Sequence, residues 1–383
     1  MRGVPSWLFV VATCVAVCGC KTTRTGSGQF PAQPRLLVAL PEYCNTPDGM
    51  TLLPDQSIIV SVPNFNDESK PPLLIRIRPD NQVEKFYEFP TPYPGLPKGL
   101  DRIAPVGIAV APDGNLYFAD MQYLRDKNQK SRLWKLVVRD GRPEKLVLVA
   151  SGFNCANGVA IRNGHVYVTE SVLVEGSQPL QSAVLRFRLD EENVVLRQPL
   201  KEDPHILAVF RSYKAPWRFG ANGIEFDAQG NLYVGVFGEG VIYKLNFDSD
   251  GRVISSTEFA RSVFMTTCDG MHRDPRTGAL YVADLAVNAV HEVSPEGHVR
   301  LIATNGDPKS GPDKLKGLLD GPCDALVRGD EIVVSNMDWP QAGFRNSKHQ
   351  MPATLSVMRI PVTKPAPEPK KKRGWSWFPW LRK

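Results

Sequence analysis

Six stretches of the chain repeat one pattern, and this repetition limits the possible fold more than any other feature. Each repeat starts with a lead residue, usually Asp or Asn followed by Gly, and continues with a short apolar run, a tight turn and a second apolar run. The lead residues lie 47 to 65 residues apart, and the second run begins 8 to 11 residues after each of them. A period of this length predicts one supersecondary unit per repeat. The lead residues are Asp48, Val106, Asn157, Asn222, Asp269 and Asp324.

The composition of the repeats predicts strands. Val, Ile, Leu, Tyr and Phe fill the apolar runs, and the 33 prolines and 31 glycines suit many turns and few helices. No long helical period occurs in the body of the chain. We therefore predict an all-β, six-bladed β-propeller over residues 35–362. A β-sandwich is the alternative, but equal spacing of the repeats is not expected of a sandwich.

The apolar runs also locate individual strands of the predicted blades. The second runs are residues 58–62, 116–120, 166–170, 232–236, 280–284 and 332–336. The next runs, which would continue the blades, are residues 73–78, 133–138, 184–189, 241–246, 289–294 and 354–360. Residues 36–40 precede the first repeat, and we expect them to pair with the last blade, which would close the ring and remove two exposed sheet edges.

The lead residues are the candidate functional residues. The first strand of each blade of a propeller lines the central channel, so side chains that start these strands converge at one mouth. Three carboxylates and two amides are predicted to meet there: Asp48, Asn157, Asn222, Asp269 and Asp324. Ca²⁺ prefers six to eight oxygen ligands of this kind. The alternative is that the Asp-Gly and Asn-Gly pairs are turn formers with no functional role.

Residues 40–360 resemble the family of gluconolactonase, regucalcin (senescence marker protein) and luciferin-regenerating enzyme. The resemblance rests on the six repeats, on Ala-Asn-Gly-Ile at 221–224 and on Cys-Asp-Gly-Met at 268–271. It implies that Asp48, Asn222 and Asp269 bind a divalent metal. Asp48 departs from the family, which has Glu at this place.

The same resemblance implies roles in substrate binding and catalysis. Asn157 would face the substrate, and Asp269 would also act as the catalytic base. We place Asp324 with Asn157 as a substrate-binding residue because it belongs to the same convergent set. The implied activity is a metal-dependent lactonase or carboxylic-ester hydrolase that acts on a small-molecule lactone or ester. Ca²⁺ is the preferred cofactor, with Zn²⁺, Mn²⁺ or Mg²⁺ as alternatives.

A second function stays open, in which the propeller is not catalytic and binds a small molecule, a sugar or a protein at a membrane surface. No G-x-S-x-G, P-loop or H-E-x-x-H motif occurs in the sequence. Serine-hydrolase and nucleotide chemistry therefore have no motif to support them.

The N-terminal residues predict export. Residues 1–19 read as a signal peptide, with an apolar run over residues 7–17 that is too short for a membrane span. The run ends in Val-Cys-Gly-Cys, which resembles a bacterial lipobox and makes Cys20 the predicted lipidation site. Residues 20–34 would be a tether, and the protein a membrane-anchored bacterial lipoprotein on the periplasmic or outer-membrane face. An ordinary secretory signal or a retained short anchor is the alternative.

The C-terminal tail, residues 363–383, carries the net charge of the whole chain. It holds seven Lys or Arg and one Glu, so its charge of +6 equals that of the chain and residues 1–362 are neutral. We therefore expect no nucleic-acid partner. Three Trp beside the basic residues suit an anionic membrane interface. A disordered, solubilising tail is the alternative.

Several residues near the predicted mouth have open assignments. Four cysteines beyond the signal would form one or two disulfides or remain buried thiols: Cys44, Cys155, Cys268 and Cys323. His272 is expected to be packed or solvent-facing. Trp217 and Arg218 would form either a substrate wall or a packed loop, and the insertion at 339–349 is expected to overhang the mouth.

Overall fold

The computed structural model describes residues 32–213 and 216–360, which form six sheets around a central channel. This is the predicted six-bladed β-propeller. The predicted signal peptide, the lipidation site Cys20, residues 20–31 of the tether and the basic tail lie outside the described residues, as do Lys214 and Ala215.

The strands follow one another from the channel outwards in each blade. Blade 1 contains β2 (Met50–Leu52), β3 (Ile58–Val62), β4 (Leu73–Ile77) and β5 (Val83–Glu88), and β1 (Arg35–Ala39) precedes it. Blade 2 contains β6 (Pro105–Val110), β7 (Leu116–Asp120), β8 (Ser131–Arg139) and β9 (Arg142–Phe153). Blade 3 contains β10 (Ala156–Arg162), β11 (His165–Glu170), β12 (Leu180–Arg188) and β14 (Ile206–Ser212), while the short β13 (Val194–Val195) pairs in parallel with β9 of blade 2.

The second half of the ring repeats this order. Blade 4 contains β15 (Ala221–Phe226), β16 (Leu232–Val236), β17 (Val241–Phe247) and β18 (Val253–Arg261). Blade 5 contains β19 (Met271–Arg273), β20 (Leu280–Asp284), β21 (Ala289–Val293) and β22 (Val299–Thr304). Blade 6 contains β23 (Pro322–Arg328), β24 (Glu331–Asn336), β25 (Thr354–Arg359) and, at its outer edge, β1.

The predicted closure of the ring is confirmed. Strand β1 pairs antiparallel with β25, with Leu36 opposite Ser356, so the first strand of the chain completes the last blade. The innermost strands β2, β6, β10, β15, β19 and β23 contact one another in this order, and β23 also contacts β2. The sheets therefore form a closed ring.

The hydrophobic core is divided among the six interfaces between neighbouring blades. Successive residues of a strand point to opposite faces of its sheet, so each strand packs side chains against both adjoining blades. In β3, Ile58 and Val60 pack toward blade 6, while Ile59 packs toward blade 2. A seventh apolar cluster, described below, lies at the channel mouth instead of between blades.

Helical structure is scarce in the described residues. It consists of three single-turn 3-10 helices, Leu200–Glu202, Phe237–Glu239 and Leu285–Val287, and one short α-helix, α1 (Gly311–Lys314). None of these described helices has the length and apolar character needed to span a membrane.

Candidate functional site

The five polar lead residues meet in one cavity of about 390 Å³ inside the channel. Asn157, Asn222, Asp269 and Asp324 are buried, and Asp48 is partly exposed. The sixth lead residue, Val106, does not line this cavity, although its neighbours Gly107 and Ile108 do. The predicted convergence of distant lead residues at one place is therefore seen in the structure.

The glycines that follow the lead residues allow close packing of neighbouring inner strands. A Cβ atom added to Gly158 would lie 2.1 Å from the backbone oxygen of Asn222, and one added to Gly223 would lie 2.1 Å from that of Asp269. Neither glycine has a positive φ angle. These glycines do not form turns, so the turn-former interpretation is wrong for them; they leave room for the next blade.

Irregular strand pairing aims the two amide lead residues at the channel. The register between β10 and β11 shifts between Ala156 and Val159, and that between β15 and β16 shifts between Ala221 and Ile224. Asn157 and Asn222 lie within these shifts. Such irregularities bend a strand and redirect its side chains.

Hydroxyl groups on the second strands fix the backbone of the lead residues in the next blade. Thr169 Oγ1 donates a hydrogen bond to the Asn222 backbone oxygen at 2.9 Å, and Ser335 Oγ donates to that of Asp48 at 2.7 Å. Ser61 makes the corresponding hydrogen bond to Val106. The lead side chains are thus held on a rigid frame.

The electrostatics of the cavity favour neutral or cation-bound carboxylates. Burial raises the pKa of Asp269 well above its usual range, and the charges of Asp48 and Asp324 raise it further. Hydrogen bonds with the Asn222 side chain and the Gly270 backbone oppose this shift only in part. Burial and the charge of Asp324 raise the pKa of Asp48 to about 7. Carboxylates crowded in this way repel one another unless a proton or a cation intervenes.

Asp324 has a different environment from the other lead residues. One of its oxygens, Oδ2, accepts a hydrogen bond from the Met50 backbone N–H at 2.8 Å and lies 3.1 Å from His272 Nε2. The other, Oδ1, accepts from the Ala325 backbone N–H at 2.8 Å. Both oxygens of Asp324 are therefore engaged by the protein itself.

His272, expected to be packed or solvent-facing, lies on the cavity wall. Burial lowers its pKa, but the adjoining Asp324 and Glu225 carboxylates outweigh burial and raise that pKa to about 10. Its Nδ1 lies 3.6 Å from Glu225 Oε2. A protonated His272 offsets part of the negative charge of the cavity. One signal in the sequence could have indicated this: a His stands at a strand position where the first two blades have Thr51 and Ala109.

Above this inner cavity lies a second space of about 450 Å³, which we call the mouth chamber. Four lead residues, Asp48, Asn157, Asn222 and Asp269, line both spaces and so form the floor of the chamber. Asp324 lines only the inner cavity. The chamber walls are apolar: Phe65, Met121, Leu124, Phe219, Phe237, Leu285, Met337 and Trp339.

Loops around the mouth chamber account for the remaining open assignments. Trp339 confirms that the insertion at 339–349 reaches the mouth. Trp217 packs on Phe344 with ring centroids 5.1 Å apart and donates from Nε1 to the Ala342 backbone oxygen at 3.2 Å. Arg218 is exposed and donates to the Ser177 backbone oxygen at 3.0 Å. Neither Trp217 nor Arg218 lines the chamber, which favours the packed-loop assignment.

The cysteines of the described residues are free and buried. Disulfides among Cys44, Cys155, Cys268 and Cys323 are therefore not formed, and the alternative of buried thiols holds. Burial raises the pKa of all four thiols, to about 12 for Cys44. A protonated thiol is a poor nucleophile, so Cys323 on the inner cavity wall is not suited to nucleophilic catalysis.

The floor of the mouth chamber has the chemistry of a hard-cation site. Asp48 and Asp269 supply carboxylate oxygens, and Asn157 and Asn222 supply amide oxygens, which are the ligands Ca²⁺ prefers. Among the described residues no three His, Cys, Asp or Glu side chains are grouped as a metal site. The predicted set of Asp48, Asn222 and Asp269 contains two carboxylates and one amide, and its binding of a divalent cation stays a prediction.

Comparisons with known proteins agree with the fold. Residues 105–268 match the family model described as "SMP-30/Gluconolactonase/LRE-like region". No curated protein matches the sequence significantly.

Solved structures resemble nearly the whole propeller. Luciferin-regenerating enzyme superposes with a TM-score of 0.56 at 11% identity, covering 85% of this chain and 94% of that one. A gluconolactonase from Xanthomonas campestris gives 0.51 at 15% identity, covering 86% and 90%. The calcium-binding protein regucalcin from Agrobacterium tumefaciens gives 0.52 at 14% identity, covering 86% and 95%. The resemblance inferred from the sequence is thereby confirmed, and the propeller carries an SMP-30/gluconolactonase/LRE-like region over residues 105–268.

Proposed function

We propose that this protein is a divalent-metal-dependent hydrolase of lactones or carboxylic esters. The observation that carries the proposal is the chamber floor, where Asp48, Asn222 and Asp269 bring hard oxygen ligands together beneath an open chamber. The family model and the gluconolactonase among the similar structures support the reaction class. Ca²⁺ suits the all-oxygen ligand set best, and Zn²⁺, Mn²⁺ or Mg²⁺ are the alternatives to test.

The residues of the floor have distinct roles in this proposal. A bound divalent cation would supply Lewis-acid polarisation of the substrate carbonyl. Asp269 accepts a proton from a water molecule as that water forms a bond to the carbonyl carbon. The bond from this carbon to the ring or ester oxygen then breaks, the leaving oxygen takes up a proton, and the product is a hydroxy acid or an acid and an alcohol.

Asn157 and Asp324 would assist from opposite sides of the floor. Asn157 faces both spaces, so its side-chain amide can hydrogen-bond to the substrate and orient it. Asp324 lines only the inner cavity, where the Met50 backbone N–H and His272 already engage its carboxylate. We therefore give Asp324 a positioning role, in which it holds His272. It would contact only a part of the substrate that enters the inner cavity.

Metal analysis combined with a lactone screen tests the proposal. The purified protein, dialysed against buffer without chelator, is expected to retain or take up about one divalent ion per chain and to hydrolyse small lactones in a pH-stat assay. Protein that binds no divalent ion and shows no activity on a broad lactone and ester panel would refute the hydrolase and favour the non-catalytic binding propeller.

We further propose that the chain is exported and anchored to a membrane by a lipid on Cys20. The signal-like residues 1–19 and the Val-Cys-Gly-Cys sequence support this. Expression in a bacterial host should give a membrane-associated protein that incorporates labelled fatty acid, and Cys20→Ser should abolish the labelling. Equal labelling of the Cys20→Ser protein would exclude Cys20 as the lipid site.

A further inference from the structure

The mouth chamber has a regular origin in the propeller. The residue directly after the second strand lines the chamber in four blades, and in each case it is apolar: Met121, Phe237, Leu285 and Met337. Blade 1 contributes Phe65 from the corresponding loop. Apolar walls are therefore supplied from most of the ring and are not the result of one loop folding over the channel.

Most of the chamber wall is separate from the core of the blades. Phe237, Leu285 and Met337 belong to a cluster that is distinct from the six clusters between blades, whereas Met121 belongs to the cluster between blades 2 and 3. Among the described residues that line the chamber, the only polar side chains are the four of the floor. The arrangement is an apolar space with a polar end, which is the usual character of a small-molecule site.

The aromatic walls are braced from behind. Phe219 meets Phe237 edge to face, with ring centroids 6.1 Å apart and the planes at 90°. Phe344 packs behind Phe237 at 6.4 Å, and Trp217 packs on Phe344. The rings therefore cannot rotate independently into the chamber.

Trp339 is held in place through its neighbour Asp338, whose carboxylate is fully buried. Asp338 pairs with the buried Lys314, lies 2.8 Å from His349 Nδ1 and accepts a hydrogen bond from the Gln350 backbone N–H at 2.8 Å. This network ties the two ends of the insertion to each other and to α1. A wall held this firmly is suited to a preformed pocket.

We propose that the substrate carries an alkyl or aryl group next to its lactone or ester carbonyl, and that the mouth chamber binds this group while the floor binds the carbonyl. This inference rests on the proposed hydrolase function and names its substrate class. A polyhydroxylated lactone would lose the hydration of its hydroxyl groups against Phe237, Leu285 and Met337, and each unpaired hydroxyl would lower kcat/KM roughly fivefold or more. Each methylene buried in the chamber would instead raise kcat/KM about threefold.

The test is a homologous series of lactones with one ring and a growing substituent. The purified full chain is assayed with Ca²⁺ on γ-lactones that carry no substituent, or an ethyl, butyl or hexyl group on the carbon next to the carbonyl. Glucono-δ-lactone is assayed in the same way. We expect kcat/KM to rise about threefold per methylene until the chamber is filled, with glucono-δ-lactone below the hexyl compound. A flat or falling series, or a preference for glucono-δ-lactone, would overturn the inference while leaving the hydrolase in place.

A binding measurement separates this inference from the hydrolase itself. Calorimetry with 2-hexylcyclopentanone and cyclopentanone, which cannot be hydrolysed, should show tighter binding and a more negative heat-capacity change for the hexyl compound. If this holds and no lactone is hydrolysed, the catalytic proposal fails and the chamber assignment stands. Equal affinity of the two ketones would overturn the chamber assignment.

Matched variants place the effect in the chamber. Leu285→Asn should lower the ratio of hexyl to unsubstituted kcat/KM at least fivefold, whereas Ile254→Asn, at an exposed position of β18, should leave this ratio unchanged. Met337→Gln, which keeps the length of the side chain, serves where Leu285→Asn does not fold. An unchanged ratio in every chamber variant that folds would contradict the proposal.

Discussion

Two groups of acids lie at the mouth end of the inner hairpins of the blades and have opposite surroundings. The strand-end acids, Asp120 and Asp284, are the last residues of β7 and β20. Asp284 accepts hydrogen bonds from the backbone N–H groups of Thr266 and Thr267 at 2.7 and 3.0 Å, and lies 3.1 Å from His291 Nε2. The lead acids, Asp48 and Asp269, have far fewer donors and raised pKa values.

The difference in hydrogen-bond donors predicts different roles for acids of the same residue type. The carboxylate of a strand-end acid is satisfied by surrounding donors, so it stabilises the fold and has little capacity left for a ligand. Asp48 and Asp269 have fewer such donors, and they gain most from a cation or a proton. Substitutions in the two groups should therefore affect different measurements.

The largest effect is expected for activity in Asp269→Asn. Because this substitution removes the proposed base and one ligand charge, kcat/KM should fall about 10²- to 10⁴-fold. The free energy of unfolding of the metal-free protein should not decrease, since a neutral amide replaces a carboxylate that is costly to bury.

Asp250→Asn, at an exposed surface ion pair, is the control and should alter neither quantity. Full hydrolysis by Asp269→Asn, or a loss of stability as large as that of a strand-end variant, would remove the distinction between the two groups.

The strand-end acid Asp120 should show the reverse behaviour. Its carboxylate pairs with the buried Arg132 at 2.7 Å and accepts hydrogen bonds from Trp134 Nε1 and the Ala104 backbone N–H. Asp120→Ala leaves a buried guanidinium unpaired, which typically costs about 3–5 kcal/mol of unfolding free energy. Urea denaturation measures this loss, and a change below about 1 kcal/mol would show that Asp120 is not structural in this sense.

Much of this fold could be predicted because its signals are local. Apolar runs bounded by tight turns placed the second strands β3, β7, β16 and β20 with their observed bounds. The outer strands of blades 1 to 5 were not located. In Val83–Glu88 and Val253–Arg261 the side chains are half-buried or exposed, so polar residues interrupt the apolar pattern.

The site was predicted in its lead residues and missed in its surroundings. Repetition identified the five polar lead residues because each starts a repeat, and the family resemblance then selected Asp48, Asn222 and Asp269 as the predicted metal ligands. His272 and Asp324 are 52 positions apart in the sequence, so no local sequence pattern could predict that they pair. The chamber walls were missed for another reason: a single apolar residue at the start of a loop, such as Met121 or Leu285, belongs to no repeated apolar run.

Cation binding should stabilise the protein through the lead acids alone. A ligand at 100 times its Kd adds about 2.7 kcal/mol to the free energy of unfolding. We expect a gain of this size from Ca²⁺ in the unmodified protein and in the strand-end variant Asp120→Ala, but not in Asp48→Asn. Thermal and urea unfolding with Ca²⁺ or with chelator measure it. An equal gain in Asp48→Asn would place the ion elsewhere.

The last effect concerns the pH dependence of stability without metal. The pKa of Asp48 is raised to about 7 in the folded protein, against an ordinary value of 3.8, so between these values the folded state holds a proton that the unfolded state has released. Stability must then fall as the pH rises through this window, with a slope of up to about 1.4 kcal/mol per pH unit.

Asp48→Asn removes this contribution together with the part of the Asp269 pKa shift that the Asp48 charge causes. Without metal, the variant should lose less stability than the unmodified protein between about pH 4 and pH 7. With Ca²⁺, which keeps the lead acids ionised, this difference in pH dependence between the two proteins should disappear. Asp120, already held by Arg132 and Trp134, would have no comparable response to Ca²⁺. Parallel stability curves for the chelated protein and its Asp48→Asn variant would mean that Asp48 is as well satisfied by the protein as the strand-end acids are.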